Sequence, residues 1–309
     1  MKRDNIFIEE KINELIKFNE TMINEWLQEL NQLKLGINPY KRPTDEVIKL
    51  TQEDISIYQE KKMLATYTAG YPIEDFKEEY IIFVNSLLPV WQSNSGYLQM
   101  VRALSIGILL EIDGVTFDKL VDLVKKDDPE DYLIDYLIQS RHPDWKIRIN
   151  YNFPRPYGFN RKIIEEEKAE QALKLLKEYV TKKWYPGHRD TGWYDLHKRN
   201  IDNYYGYWSF ESGALCKIKG LDYKELEGVP YFPYDLVAEV NEGTSSSASS
   251  SMSNSLAFVE ESGQIESSSN DNSNTHYHIS RADDETIRKV IDKSLQDLKQ
   301  QNSEEQHTE

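Results

Sequence analysis

Residues 5–34 set Ile8, Ile12, Leu15, Ile16, Met22, Ile23, Trp26, Leu27, Leu30 and Leu33 at helical spacing. Similar spacing returns in segment after segment, and nowhere does a run alternate apolar and polar residues before a hairpin dipeptide. A helix that buries only one stripe must pack that stripe on other helices. The chain is therefore expected to be all-α: a stack of antiparallel helices joined by short loops.

Punctuation residues divide the pattern. Gly36 and Pro39 end the first helix. The second is expected to start at Thr44 as cap, with Asp45 and Glu46 in its first turn, and to run to near Gly70. "YPIEDFKEEYIIFVNSLLPVW" predicts a helix ending before Pro89. "NSGYLQMVRALSIGILLEI" is the most apolar segment and is expected at the centre. The next helix starts at Thr116 and stops near Asp127, Asp128 and Pro129, which opens the following one at its first helical position. "NFPRPYGF" reads as a connector, and "RKIIEEEKAEQALKLLKEYVTKKWY" as one long helix with an exposed acidic face.

After Val240 the composition changes to "NEGTSSSASSSMSNS" and "ESSSNDNSN". Such serine-rich sequence lacks the apolar area to offset the entropy of ordering, so disorder is expected. Within it, Ile287, Val290, Ile291, Leu295 and Leu298 mark one amphipathic helix at about 283–300. The expected organisation is a helical domain at 1–92, a second at 93–238 and an acidic tail at 239–309.

Charge narrows the function. The 309 residues carry a net charge of −16 and a mean hydropathy of −0.68. Residues 239–309 hold 14 acidic and 5 basic side chains, net −9; the rest hold 39 and 32, net −7. Phosphate binding needs a basic footprint, so nucleic acid is not expected as a direct ligand. An acidic surface suits a basic protein partner, or solubility alone. No apolar run reaches the ~18 residues of a membrane span, and no secretory signal is visible at "MKRDNIFIEEKINEL". With Cys216 as the sole cysteine, no internal disulfide can form, and a cytoplasmic protein with no membrane association is expected.

Chemistry-bearing residues are sparse. No paired Cys motif, HExxH or P-loop occurs among them. His276 and His278 flank Tyr277 without further ligands, so no metal and no cofactor are expected. His142 at a helix end is explained by the helix dipole. Asp195, His197 and Glu211 could form an acid–base set near Trp193 and Trp208. They could equally be buried hydrogen-bonding groups, the reading favoured by the lack of an accompanying nucleophile. Two acidic clusters, Asp127, Asp128, Glu130 and Asp131 and then Glu165, Glu166, Glu167 and Glu170, are either solvated faces or docking surfaces for a basic partner. In "DNYYGYWSFESGALCKIKG" large aromatics interleave with small residues at helical spacing, which predicts core packing for Trp208 and Phe210.

The same segment carries a resemblance. "WYDLHK", "YYGYWSFESGALCKIKGLD" and "PYFPYDLV" resemble the signature of the PoNi C-terminal domain, and "YLQMVRALSIGILLEIDGVTFDKLVDLVKKDDPEDYLIDYLI" resembles its start. "DISIYQEKKMLATYTAGYPIEDFKEEY" is similar to the PoNi N-terminal domain. The resemblance spans residues 1 to about 238. It implies an immunity protein, not an enzyme, that binds and neutralises a PoNe-type DNase toxin of the restriction-endonuclease-like superfamily. It supplies no catalytic residues. The signature positions Trp193, Tyr194, His197, Gly206, Tyr207, Trp208, Phe210, Glu211, Pro230, Tyr231, Pro233, Tyr234, Asp235 and Leu236 are read as structural. Two alternatives stand beside it: a helical scaffold acting through the acidic tail, and a hydrolase using His197 and Glu211.

Overall fold

A stripe of Ile12, Leu15, Ile16, Ile23, Leu30 and Leu33 is buried along α1 (Glu9–Lys34), as its spacing requires. The computed structural model describes residues 3, 4, 6 and 8–238, and the expectations for residues 239–309 lie outside them. α2 (Thr44–Ala69) returns antiparallel to α1. The register is fixed by Glu29 with Thr51, Glu20 with Lys62 and Asn13 with Tyr71, which step in opposite directions along the two helices. Pro43, not Thr44, holds the position before the helix and makes no side-chain cap; Gly70 closes it in the left-handed conformation. α3 (Ile73–Leu87) folds back on α2 through Gln59 and Glu79.

α4 (Ser93–Leu109) is the central helix, with Tyr97, Met100, Val101, Ala103, Leu104, Ile106 and Leu109 buried along it. Gly107 permits close contact with α3: a Cβ there would stand 2.5 Å from the Tyr80 hydroxyl. That hydroxyl donates to the Ala103 carbonyl at 2.9 Å. α5 (Gly114–Asp127) is capped by the Asp113 carboxylate. α6 (Tyr132–Gln139) starts three residues after Pro129. Its cap is Asp131, so the expected proline start is displaced by a side chain that satisfies two backbone N–H groups at once.

The expected long helix is interrupted. After the short turn α7 (Pro154–Tyr157), α8 (Asn160–Glu165) ends where Glu166 turns extended, and α9 (Ala169–Glu178) begins afresh. The Glu166 carboxylate accepts from the Lys168 N–H at 3.0 Å, a local bond that competes with helix continuation. A π-helical segment (Tyr179–Trp184), α10 (Tyr185–Gly187) and α11 (Leu196–Arg199) lead to the aromatic segment. Residues 204–209 are not helical; α12 starts only at Phe210 and runs to Ile218. A final helical turn occupies 234–238.

Among the described residues there is no strand. Buried side chains from Ile12 to Val237 form one continuous core. No described helix is long and apolar enough to cross a membrane. The first described residues close onto the last. Arg3 pairs with Asp235 and donates to the Tyr67 and Tyr71 carbonyls at 2.7 and 2.9 Å, and Asp4 accepts from the Tyr204 hydroxyl.

Candidate partner-binding surface

The signature residues lie at the junction between the aromatic segment and the rest of the core. Gly206 has a φ of +98°, and a Cβ there would stand 2.1 Å from Thr68 Oγ1. Backbone and side chains converge on that hydroxyl, which bonds the Tyr205 carbonyl at 2.7 Å and accepts from Trp208 Nε1 at 2.8 Å. Trp208 is half-buried and Phe210 is fully buried. Pro233 packs over Gly213, where a Cβ would meet its ring at 2.8 Å. Tyr231, with a φ of 68°, accepts from the Ser209 N–H at 2.8 Å and stacks on Tyr185 with ring centres 5.2 Å apart. Asp235 accepts from the Tyr67 hydroxyl at 3.0 Å. Trp193 stacks on Trp184, and Tyr194 packs on Tyr185. Pro230 and Leu236 complete the run, Leu236 fully buried.

His197 and Glu211 share no hydrogen-bond partner among the described residues. His197 Nδ1 meets the Tyr207 hydroxyl at 2.9 Å. The buried Glu211 carboxylate accepts from the Tyr179 hydroxyl at 3.0 Å and from Ser209 Oγ at 2.8 Å, and burial raises its pKa. Asp195 accepts from the Tyr185 hydroxyl at 2.7 Å. The histidine nearest Glu211's surroundings is His188, which sequence reasoning passed over. With Arg102, Tyr157, Trp184, Trp193 and Glu211 it lines a cavity of about 10 Å³. That is room for about one water, far below the ~300 Å³ at which ligand pockets begin. Among the described residues no three His, Cys, Asp or Glu side chains are placed to hold a metal; His276 and His278 lie outside those residues. Cys216 is buried, and burial pushes its thiol up to about 12.

His188 gives the fold a pH signature. Its Nδ1 lies 2.7 Å from the Trp184 carbonyl, which can only accept, so Nδ1 carries the proton and Nε2 accepts from the Tyr157 hydroxyl at 2.9 Å. Burial lowers its pKa from 6.5 to about 4. The unfolded chain therefore takes up a proton near pH 6.5 that the folded chain refuses until about pH 4. The stability linked to His188 is complete above the upper value and lost as pH falls toward the lower, on the order of 3 kcal/mol in all. Asp131 and Glu211, whose pKa values burial raises, act in the opposite sense in acid. The difference between wild type and His188→Gln isolates the histidine. Urea midpoints measured from pH 7.5 to 4.5 should converge as pH falls; parallel profiles would refute the assignment.

The acidic residues split into holders of the fold and free surface. Asp131 is fully buried. It accepts from the Leu133, Ile134 and Asn152 N–H groups at 3.0, 3.1 and 2.8 Å and from the Tyr97 hydroxyl at 3.1 Å. A docking role for Asp131 is thereby corrected: no partner can reach it without unfolding the α6 N-terminus. Asp127 is exposed but accepts from the Ser93 N–H at 2.8 Å, holding the start of α4. Asp128 is exposed and pairs with Arg148. Glu130 is exposed and accepts from Asn150 Nδ2 at 3.2 Å. In the second cluster Glu165, Glu167 and Glu170 are exposed and Glu166 is half-buried. The Tyr132 hydroxyl reaches Glu165 at 3.4 Å, so the fold brings the end of α8, and Glu165 with it, beside the start of α6. Arg161 stands over the Tyr132 ring at 4.4 Å.

Two family models match the chain. The model for PoNe immunity protein, N-terminal, covers residues 3–122, and that for PoNe immunity proteins, C-terminal, covers residues 129–236. Among solved structures the chain is similar to protein PA2201 from Pseudomonas aeruginosa, with a TM-score of 0.51 and 15% identity, over 77% of this chain and 97% of that one. At that identity the likeness speaks for the fold alone. A search of the curated proteins found no match.

Proposed function

We propose, because this chain belongs to the PoNe immunity protein family, that it binds and neutralises a PoNe-type nuclease toxin through its folded surface, with no chemistry of its own. The single observation that carries this reading is the pair of family matches, which together reach from residue 3 to residue 236. Electrostatics supports the mode of binding. A DNA-cleaving toxin presents cations to phosphate, and an acidic partner can cover them, speed their encounter and exclude DNA. A cytoplasmic protein would meet the toxin where the DNA is.

The proposed contacts are the acids of the two clusters that reach the surface: Asp127, Asp128, Glu130, Glu165, Glu167 and Glu170, which are exposed, and Glu166, which is half-buried. Three of them separate binding from folding. Glu130, Glu167 and Glu170 are exposed and cap no helix. In the triple variant Glu130→Lys, Glu167→Lys and Glu170→Lys, affinity for a co-purified PoNe-type toxin should fall tenfold or more. The melting temperature should stay within about 3 °C of wild type, since surface changes shift stability by roughly 0.5 kcal/mol. Association should slow as salt rises. Unchanged affinity in the triple variant would remove this surface from the interface; failure of the wild-type chain to bind or protect against any such toxin would sink the function itself.

A further inference from the structure

On this acidic chain the described residues form a concave surface of the opposite sign. A shallow groove of about 470 Å³ lies between α7, the start of α8 and the π-helical segment. Among the described residues four cations line it, Arg155, Lys162, Lys182 and Lys183, and no carboxylate does. All four are exposed. The sequence hides the cluster because the members come from three separate elements of a chain whose net charge is −16.

The groove is built on a rigid floor. Pro154, Pro156 and Pro186 form part of it, and Gly187 is packed so closely on Pro156 that a Cβ would stand 2.4 Å from that ring. Phe159 is half-buried and stacked on Tyr179, with ring centres 6.0 Å apart and planes 15° from parallel. Lys162 and Lys183 stand over the Phe159 ring at 5.3 and 5.8 Å, so one aromatic ring attracts two ammonium groups. Among the described residues two carboxylates meet these cations: Asp190 pairs with Arg155 at 2.7 Å, and Glu178 approaches Lys183 at 3.5 Å. Both pairs are solvent-exposed, the kind that contributes little to stability and exchanges readily for another anion. Like charges gathered around an apolar floor repel one another, and an anionic occupant relieves that repulsion.

We propose that this groove is a docking site for a short segment of a protein partner rich in aspartate and glutamate, with carboxylates on Lys162, Lys182, Lys183 and Arg155 and aliphatic stems against Phe159 and the prolines. Charge complementarity selects the occupant. Duplex DNA also carries anions, but it would bring a long polyanion against a chain of net −16, and the groove is a pocket of a few residues' size rather than a stripe. The inference does not rest on the toxin reading: it concerns cations that the acidic contact region does not use.

The test uses the full chain and fluorescence anisotropy with three labelled probes: a hexapeptide of alternating Glu and Asp, its Gln and Asn counterpart, and a 12-base-pair duplex DNA. The acidic peptide should bind, the amide peptide should bind at least tenfold more weakly, and the duplex should not compete. The triple variant Lys162→Glu, Lys182→Glu, Lys183→Glu should lose about tenfold or more in acidic-peptide affinity, and the neutral set Lys162→Gln, Lys182→Gln, Lys183→Gln should lose less. Because the three lysines are exposed, both sets should melt as wild type does. Acidic-peptide binding that is absent, or unchanged in both variants, would overturn the proposal, and so would a duplex that binds more tightly than the peptide.

Discussion

Phe210→Ala is expected to lower the unfolding free energy by about 3–5 kcal/mol. Phe210 is 1% exposed and opens α12. Its ring lies 5.5 Å from that of Tyr67 on α2 and 6.2 Å from that of Phe76 on α3, stacked within 15° on the latter. Tyr67 in turn meets Phe76 at 5.0 Å and Trp208 at 4.9 Å. Three elements therefore lose a shared contact when one ring is removed, and a buried, closely packed site has little room to collapse into the void. Phe210→Leu, which keeps most of the volume, should cost less than about 1.5 kcal/mol. Urea titrations would read both as shifts in midpoint at constant slope. An alanine variant within 1 kcal/mol of wild type would mean that the ring is not part of the core.

That ring cluster shows both the reach and the limit of sequence reading. Small residues between large aromatics signalled core packing for Trp208 and Phe210; Phe210 is buried, while Trp208 is half-buried against the core. Helical spacing across 204–209 did not hold, because Gly206 takes a left-handed conformation set by Thr68, a residue remote in sequence. No local pattern encodes that contact. Along α1 the period predicts most of the buried stripe, from Ile12 to Leu33, but Ile8 lies before the helix and is exposed, and Asn19 fills one buried place in the stripe. Where a side chain competes with the backbone, the period misled: Glu166 ends α8 by bonding the Lys168 N–H, and Asp131 starts α6 in place of Pro129.

The candidate surface was legible in the same partial way. Runs of acids identify a negatively charged region, but not which members fold inward. Asp131 is 0% exposed while its neighbour Glu130 is exposed, a distinction that arises only when Tyr97 and Asn152 arrive from other elements. The basic groove was invisible for the converse reason: its cations are dispersed along the chain and gather only in three dimensions. Arg148 belongs with them as a missed residue. Its partners Asp128 and Asp135 stand at no helical interval from it, so no motif marks the network they make.

Breaking that network should give the second large effect: Asp135→Ala is expected to cost about 3–5 kcal/mol. The Asp135 side chain is 0% exposed and the Arg148 side chain 19%. Its two carboxylate oxygens accept four hydrogen bonds, from Trp145 Nε1 at 2.9 Å, the Arg148 N–H at 2.8 Å, and Arg148 Nε and Nη2 at 2.9 and 2.8 Å. The bidentate grip holds the Arg148 pKa above its ordinary value, the bonds to Asp135 contributing most. Removing the carboxylate strands an indole N–H, a backbone N–H and most of a guanidinium in a half-buried site, and leaves Arg148 only Asp128 and the Pro129 carbonyl. Leaving a partly buried charge without its counter-ion is the costly part, more than losing the pair as a whole. The double variant Asp135→Leu with Arg148→Met tests that distinction, since it removes both charges and keeps apolar volume. It should recover at least half of the loss seen in Asp135→Ala. Because Arg148 also ties the α5–α6 junction through Asp128, hydrogen exchange at Leu133 and Ile134 should quicken in the single variant and return toward wild type in the double one. A single variant as stable as wild type, or a double variant less stable than the single, would show that the ion pair does not organise this junction.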